Sequence, residues 1–431
     1  MYILVAGVRH QTAPIEVRER FALTEEQIET AIPMLMSLPS IRECAILTTC
    51  NRTELYVVVN QTDEGLQSIK TFFAEFKQVD YDAYRGSVFT LLHEDAAMHL
   101  FRVASGLDSL ILGEGQILAQ VKETLAVAQR HKSNGVVLDK LFKTALSIGK
   151  RVRTETGISN RDISVSRAAY EYARQLLPDF LDKRITMVGG GKMAEILLHS
   201  LRREMTDAQR ERVCVVNRSA NRLATLTEKF GFRGVTWEQL EPVIAESDVL
   251  FVATGAPHVV LDTEDFPESS PKLVIDISVP RNVAPEVGEL PWIQLFNTDN
   301  LAGITGYSPE MRDQLKDQAR AIIYEEYANF FQWLISLPVV GPTITMLRSK
   351  VETIRKSEAS CSCPVTGTSC SVIDNLSKNL VNKILHDPTV RLKATRNMEE
   401  IYQQAAMLSH LFNFEASSES ASQLVMESQG V

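Results

Sequence analysis

Ile185-Thr186-Met187-Val188-Gly189-Gly190-Gly191-Lys192-Met193-Ala194-Glu195 is the stretch on which the fold turns. A short strand-like run leads straight into a glycine turn, and the helical Ile196-Leu197-Leu198 follows. Strand, turn and helix in that order, with Gly189-x-Gly191-x-x-Ala194, match the dinucleotide-binding fingerprint in its Ala variant. Bare backbone at Gly189, Gly190 and Gly191 lets a pyrophosphate approach. The helix start at Lys192, Met193 and Ala194 offers unpaired N–H groups and positive potential to it.

Four more strands are expected downstream, at Val213–Val216, Val249–Ala253, Leu273–Ile277 and Ile293–Phe296. Several are continuous apolar runs, as in a parallel sheet buried on both faces. The second strand ends in Asn217-Arg218-Ser219. An acidic residue there would hold the ribose 2′-hydroxyl of NAD, whereas Arg218 and Ser219 suit a 2′-phosphate, so NADPH is the expected cofactor. Two other readings stay open: Arg218 as a solvated loop cation, and S-adenosylmethionine as the ligand.

Upstream the pattern is βαββαβ, the split ferredoxin-like order. Its strands are Tyr2–Val8, 43–49, 54–60 and 88–92. Its helices are 24–37, with Thr24 as N-cap and Gln27 three residues on, and about 64–76. Helical patterns fill 93–156. After Pro309 a long helix begins, whose apolar residues from Met311 to Leu337 recur mostly every three or four positions. At 1.5 Å per residue that is about 40 Å, more than one compact core needs, so it reads as a spine or oligomerisation element. Pro338 and Gly341-Pro342 are expected to interrupt it before further helix, and the tail from Glu415 reads as disordered. The fold class is α/β multidomain: a ferredoxin-like N-terminal domain, a Rossmann-like domain, a long helix and an all-α C-terminal domain.

At 431 residues, 45% hydrophobic and 23% charged, the chain has the composition of a soluble globular protein of about three domains. Met1-Tyr2-Ile3-Leu4-Val5 lacks the basic n-region of a signal peptide. No apolar stretch approaches the roughly 20 residues that span a bilayer. Six Cys at irregular spacing suggest a reducing compartment, and the cytoplasm is expected. A net charge of −9 argues against general nucleic-acid affinity. One local exception is Arg130, Lys132, Lys140, Lys143, Lys150, Arg151 and Arg153, set against the single acid Asp139. This stripe reads as a phosphate-binding face or as a solvated helix face.

Ile46-Leu47-Thr48-Thr49-Cys50-Asn51-Arg52-Thr53-Glu54-Leu55-Tyr56 carries the chemistry. Cys50 sits at a tight turn between two strands, beside an Arg and Thr hydroxyls. A free thiol has a pKa of about 8.5, and a neighbouring cation raises its thiolate fraction. Arg52 could do that, or clamp a substrate carboxylate. An inert buried Cys fits the segment equally. Beside a nicotinamide fold, a nucleophilic thiol would attack an acyl group, and hydride addition to the thioester would give an aldehyde. His99, in Asp95-Ala96-Ala97-Met98-His99, reads by itself as a packed helix histidine.

Gly7-Val8-Arg9-His10-Gln11-Thr12-Ala13-Pro14-Ile15-Glu16-Val17-Arg18-Glu19, the Cys50 turn, Ser105–Lys122, the glycine turn, Asp276-Ile277-Ser278-Val279-Pro280-Arg281 and Val381–Thr389 together resemble the glutamyl-tRNA reductases. That family opens the C5 route to tetrapyrroles. The resemblance covers about nine-tenths of the chain. It implies Cys50 as nucleophile and His99 as its assistant. It also implies a glutamyl pocket of Thr49, Asn51, Arg52, Ser109, Glu114, Gly115, Gln116 and Gln120, and no metal. NADPH would lie on Gly189, Gly190, Gly191, Lys192, Met193, Ala194 and Arg218. The implied domains are catalytic at 1–157, NADPH-binding at 158–305, and spinal helix with dimerisation domain at 306–414, followed by the tail at 415–431. The implied partners are glutamyl-tRNA(Glu), a second copy in a V-shaped homodimer, and a transient complex with glutamate-1-semialdehyde aminomutase; no membrane is implied.

Two departures from the family pattern stand out. Gly190 and Ala194 occupy positions where relatives often carry Ala and Gly. Ser360-Cys361-Ser362-Cys363-Pro364-Val365-Thr366-Gly367-Thr368-Ser369-Cys370 replaces a charged helical run. It reads as an exposed loop, inert or able to bind haem iron or sense oxidation, and its Cys spacing fits zinc poorly. The rival functions are an NADP-dependent reductase of a free acyl phosphate or thioester, and a regulatory protein that binds dinucleotide without catalysis.

Overall fold

The computed structural model describes residues 1–158, 165–268, 271–301, 309–366 and 370–414. The chain divides into two compact units, Met1–Glu326 and Tyr327–Val431. The tail at 415–431 lies outside the described residues.

The first sheet of unit one has β1 (Tyr2–Arg9), β2 (Ile41–Thr49), β3 (Arg52–Val59) and β4 (Val88–Leu92) in the order β2-β3-β1-β4. Every pairing is antiparallel, the topology of the split βαββαβ unit. Thr24 and Gln27 form the capping box that starts the helix Glu25–Ser37. The helix Ile15–Phe21 was not legible in the sequence. β3 is buried along its whole length. Leu55, Val57 and Val59 face a core with Phe21, Phe72 and Phe73. With the two-residue period of a strand, Arg52, Glu54 and Tyr56 face the other way, toward the helices His93–Ala104 and Val136–Thr156.

The second sheet of the unit holds β5 (Ile185–Val188), β6 (Val213–Asn217), β7 (Arg233–Thr236), β8 (Val249–Val252), β9 (Lys272–Asp276) and β10 (Ile293–Asn297). All pair in parallel, in the order β10-β9-β8-β5-β6-β7, which is the doubly wound dinucleotide-binding order. β7 is the strand the sequence did not reveal: it is an edge strand with only Val235 buried, so it lacks an apolar run. Both chain halves of this unit share contacts through the helix Ile15–Phe21, described below.

Pro309–Thr366 is one helix of 58 residues. The interruption expected at Pro338 and Gly341-Pro342 does not occur. Each Pro withholds one backbone N–H, costing about 3 kcal/mol. The two lie one turn apart, so the carbonyls they orphan, of Leu334 and Pro338, share one face. The segment 360–366 and Cys370 are likewise helical backbone rather than the loop expected, since Ser and Cys are only weakly unfavourable in helices. The side chains of Cys361, Cys363 and Cys370, and residues 367–369, lie outside the described residues. The helix Glu310–Ala359 is also long and apolar enough, by length and composition alone, to cross a membrane, contrary to expectation; a core helix passes the same test. Its polar residues are uncharged between Glu326 and Arg348, which a search for an unbroken apolar run misses.

In unit two, the helices Cys370–Ala394 and Met398–Phe412 supply Leu392, Ile401, Met398 and Leu408 to a small core with Val339, Val340 and Ile344. Val372, Leu376, Leu380 and Ile384 recur every four residues on one helix face and stay exposed.

Candidate active site

Cys50 and Asn51 form the two-residue turn between β2 and β3, closed by the Thr49–Arg52 pair. The Asn51 N–H donates to Thr49 Oγ1 at 3.1 Å, and the His10 N–H donates to the Asn51 carbonyl at 2.9 Å. Arg18, only 2% exposed, donates from NH1 to the Cys50 carbonyl at 2.6 Å and reaches Asn51 Oδ1 at 3.3 Å. Burial, reinforced by Glu114, pushes the Cys50 thiol up to about 12, against the weaker pull of Arg18 and Arg52. The thiolate that Arg52 was expected to favour is therefore not the resting form. Arg52 is turned away into a buried pair: its NH1 donates to Glu54 Oε1 at 2.8 Å and its NH2 to the Asp108 carbonyl at 2.5 Å.

Glu54, fully buried, is the centre of that network. It also accepts from the Tyr56 hydroxyl at 2.7 Å and lies 2.9 Å from His99 Nε2. Burial would raise its carboxyl, but His99 and Arg52 outweigh this and hold it near 2. His99 Nδ1 lies 3.5 Å from Asp108 and 3.4 Å from Arg9 NH1. Burial disfavours its cation, yet Glu54 and Asp108 prevail and its pKa is raised. Asp108 also accepts from Arg102 at 2.7 Å, and its carboxyl sits well below the usual range despite burial. His10, by contrast, is held neutral: burial, then Arg52 and Arg18, bring it down to about 4. Sequence reading missed Glu54, Tyr56, Asp108, Arg9 and Arg18. The signal was present for two of them, since Arg52, Glu54 and Tyr56 alternate on a strand that is otherwise apolar.

The remaining pocket candidates cluster after the helix His93–Ala104. Gly106 and Gly113 have φ of +73° and +75° and pack against one another, and the Gly113 N–H donates to the Gly106 carbonyl at 3.0 Å, closing the loop that carries Ser109. Ser109 Oγ is shielded from solvent with no partner among the described residues. Burial raises the Glu114 carboxyl, against Arg52 and Arg153. Arg153 donates to the carbonyls of Glu114 and Gly115. Gln116 and Gln120 lie one turn apart on the helix Gln116–Arg130, both half-buried. Gln116 Nε2 lies 3.5 Å from Met193 Sδ, joining this loop to the helix that follows the glycine turn.

That turn has the shape the sequence implied. Gly189 has φ +112°, and a Cβ on it would stand 2.1 Å from the Ala253 carbonyl oxygen. Gly191 caps the helix Lys192–Glu204 without any side-chain bond, and a Cβ there would meet nothing within 4 Å, so the cradle opens outward. Ala194 is fully buried, as the helix–sheet contact of the fingerprint requires. Arg218 is exposed at the end of β6 with its guanidinium 4.5 Å from the centre of the Trp237 ring. No carboxylate engages it among the described residues. These residues fit a dinucleotide bearing a 2′-phosphate.

Three of the seven cations of the basic stripe are paired with acids. Arg130 pairs with Glu29 and Glu123, Lys143 with Asp139, and Arg151 with Glu155, Glu325 and Glu326.

A doubly wound parallel sheet with an open glycine cradle, joined to an antiparallel domain that presents a half-buried thiol at a hairpin, defines an NADP-dependent oxidoreductase. Comparison with known proteins places it further. Residues 6–156 match the family described as glutamyl-tRNAGlu reductase, N-terminal domain, and 318–414 its dimerisation domain; 171–304 match shikimate/quinate 5-dehydrogenase. The chain is 41% identical to the glutamyl-tRNA reductase of Trichodesmium erythraeum over 96% of its own length and 98% of that protein's. It is 40% identical to that of Picosynechococcus over 96% and 99%. Among solved structures it resembles the glutamyl-tRNA reductase from Methanopyrus kandleri, at 25% identity, 95% and 98% coverage and a TM-score of 0.45. The chain belongs to the glutamyl-tRNA reductase family.

Proposed function

We propose that this chain reduces the glutamyl group of glutamyl-tRNA(Glu) to glutamate-1-semialdehyde with NADPH, through a thioester on Cys50. This is the first step of the C5 route to 5-aminolevulinate, porphyrin and haem. The observation that carries the reading is the placement of Cys50: its turn is held by Arg18, on the helix that also meets the loops at the carboxyl end of the dinucleotide sheet. Ligands of such sheets bind at that end.

The Cys50 sulfur attacks the glutamyl carbonyl, the S–C bond forms, and the ester C–O bond to the tRNA ribose breaks. The thiol proton ends on the departing ribose hydroxyl. His99, whose pKa is raised by Glu54 and Asp108 against its burial, is assigned to that proton transfer. Ser109, whose hydroxyl has no partner among the described residues, and Thr49, Asn51, Gln116 and Gln120 are assigned to the glutamyl moiety, with Glu114 toward its ammonium. Arg52, already paired, is assigned to orienting Glu54 and the turn. Gly189, Gly190, Gly191, Lys192, Met193 and Ala194 would hold the pyrophosphate and Arg218 the 2′-phosphate. NADPH supplies there the hydride that takes the thioester to the aldehyde.

The proposed domains are 1–157, 158–305 and 306–414, and the three family matches fall within them. The exposed stripe Val372, Leu376, Leu380 and Ile384 supports a homodimer through the last of these. A handover of the aldehyde to glutamate-1-semialdehyde aminomutase completes the reading, since a free α-amino aldehyde is reactive.

Incubation with glutamyl-tRNA(Glu) and NADPH, assayed for glutamate-1-semialdehyde, tests the activity. Cys50→Ser should abolish it with fold and NADPH binding kept, because an alcohol is far harder to deprotonate than a thiol. Retention of more than a few per cent of turnover would sink the thioester.

A further inference from the structure

Arg18 touches both loops that hydride transfer to a Cys50 thioester must bring together. On one side it grips the Cys50 carbonyl and the Asn51 side chain. On the other, its NH2 pairs with Asp299, in the loop that follows β10 of the dinucleotide sheet. Asp299 is its only carboxylate partner among the described residues. The Asp299 N–H is itself tied to Asn297 Oδ1 at 2.9 Å, at the last residue of β10.

The same short helix carries a second, independent fastening. Arg281, in the loop after β9, donates from NH1 to Glu16 at 2.8 Å, from NH2 to Glu19 at 3.0 Å and from Nε to Glu19 at 3.1 Å. The helix Ile15–Phe21 is thus bound to two successive loops of the dinucleotide sheet by oppositely directed pairs: Arg18 to an acid beyond β10, and Glu16 and Glu19 to a base beyond β9. Of these residues only Arg18 reaches the nucleophile's own peptide. Movement of the dinucleotide-binding fold against the catalytic fold would be felt at the Cys50 turn through this one side chain.

We propose that Arg18 is a positioning residue that couples docking of the dinucleotide-binding fold to the placement of Cys50, and so decides whether the thioester is reduced or hydrolysed. The inference rests on the Cys50 reading above. With the Arg18–Asp299 link in place, the acylated sulfur is held toward the hydride donor. With it broken, acylation proceeds but the thioester waits, and water takes it: the hydroxyl goes to the acyl carbon, the proton to sulfur, and glutamate leaves.

The test compares the full-length protein with Asp299→Ala, Asp299→Glu and Cys50→Ser, on glutamyl-tRNA(Glu) with and without NADPH, measuring aldehyde and free glutamate separately. For a half-exposed charged pair, Asp299→Ala should lower the aldehyde-to-glutamate ratio by about five- to tenfold. Cys50-dependent deacylation without NADPH and the Kd for NADPH should stay within about twofold. Asp299→Glu, which keeps the carboxylate, should restore most of the ratio. A merely structural loss would depress both products together and escape rescue by Glu, and that outcome overturns the proposal. So does an unchanged ratio in Asp299→Ala. If the unsubstituted protein shows no Cys50-dependent deacylation, the thioester reading falls and takes this one with it; normal deacylation with an unchanged ratio removes this one alone.

Discussion

Glu54→Gln removes one charge from the fully buried centre of the site and changes almost no volume. Glu54 accepts at 2.8 Å from Arg52 and at 2.7 Å from Tyr56, and pairs with His99 at 2.9 Å. The amide oxygen of Gln can satisfy one of these donors, and Tyr56 can turn its hydroxyl to accept from the amide N–H₂. What cannot be replaced is the charge, which leaves the buried Arg52 cation without its carboxylate. Breaking a buried ion pair from one side costs about 3–5 kcal/mol. For a large domain that is roughly 6–20 °C in the midpoint of thermal unfolding. The pH dependence carries a second signature. A carboxyl held near 2 in the fold and near 4.5 unfolded contributes fully above about pH 4.5 and loses its contribution as pH falls toward 2. The Gln variant should lack that acid limb. His99, raised above its ordinary 6.5, contributes fully below 6.5 and loses its contribution as pH rises through its folded pKa. Without Glu54 its titration midpoint, followed by imidazole NMR, should fall. Unfolding within about 0.5 kcal/mol of the unsubstituted protein, with an unmoved His99 midpoint, would refute the buried network as described.

Arg218→Ala should weaken NADPH by roughly 10- to 150-fold and NADH little, measured by fluorescence titration; equal losses would make the Trp237 stack a structural contact. Gly189→Ala must place its Cβ 2.1 Å from the Ala253 oxygen at a left-handed φ, so dinucleotide binding or the fold of 165–301 should be lost; normal binding would contradict the turn geometry. Leu376→Lys with Leu380→Lys should shift the chain from dimer to monomer in sedimentation velocity, and an unchanged mass would move the interface elsewhere.

The Rossmann order was legible because its strands are buried on both faces and so are written as apolar runs. β7, half in water, has no such run, and Arg233-Gly234-Val235-Thr236 looks like loop. The capping box at Thr24 and Gln27 was readable because it is local; Ile15–Phe21 was not, because Pro14 starts it without a side-chain cap. Prolines misled in the long helix for the opposite reason. Local propensity against Pro338 and Pro342 is real, but it is a cost that tertiary packing around Val340 and Leu347 can outweigh.

Site residues divide along the same line. Cys50 and the glycines announce themselves by residue type and spacing, whereas the use of a charge depends on what lies across from it. Arg52 lies two positions from Cys50 in sequence and is the cation expected to favour its thiolate, yet β3 points it to the buried face, where Glu54 claims it. Arg18, thirty-odd positions upstream, is the cation that reaches the Cys50 peptide. Burial first, and the Glu114 carboxyl after it, push the thiol up, while the nearby cations are already committed to other acids. A resting thiol of this kind has a consequence for order: an oxidant or alkylating agent that attacks thiolates finds little of it in the free protein. On the role proposed for Glu114, a substrate ammonium beside it would offset the part of that rise which Glu114 causes, so reactivity at Cys50 would increase when the correct acyl group is in place, while burial, the larger cause, persists.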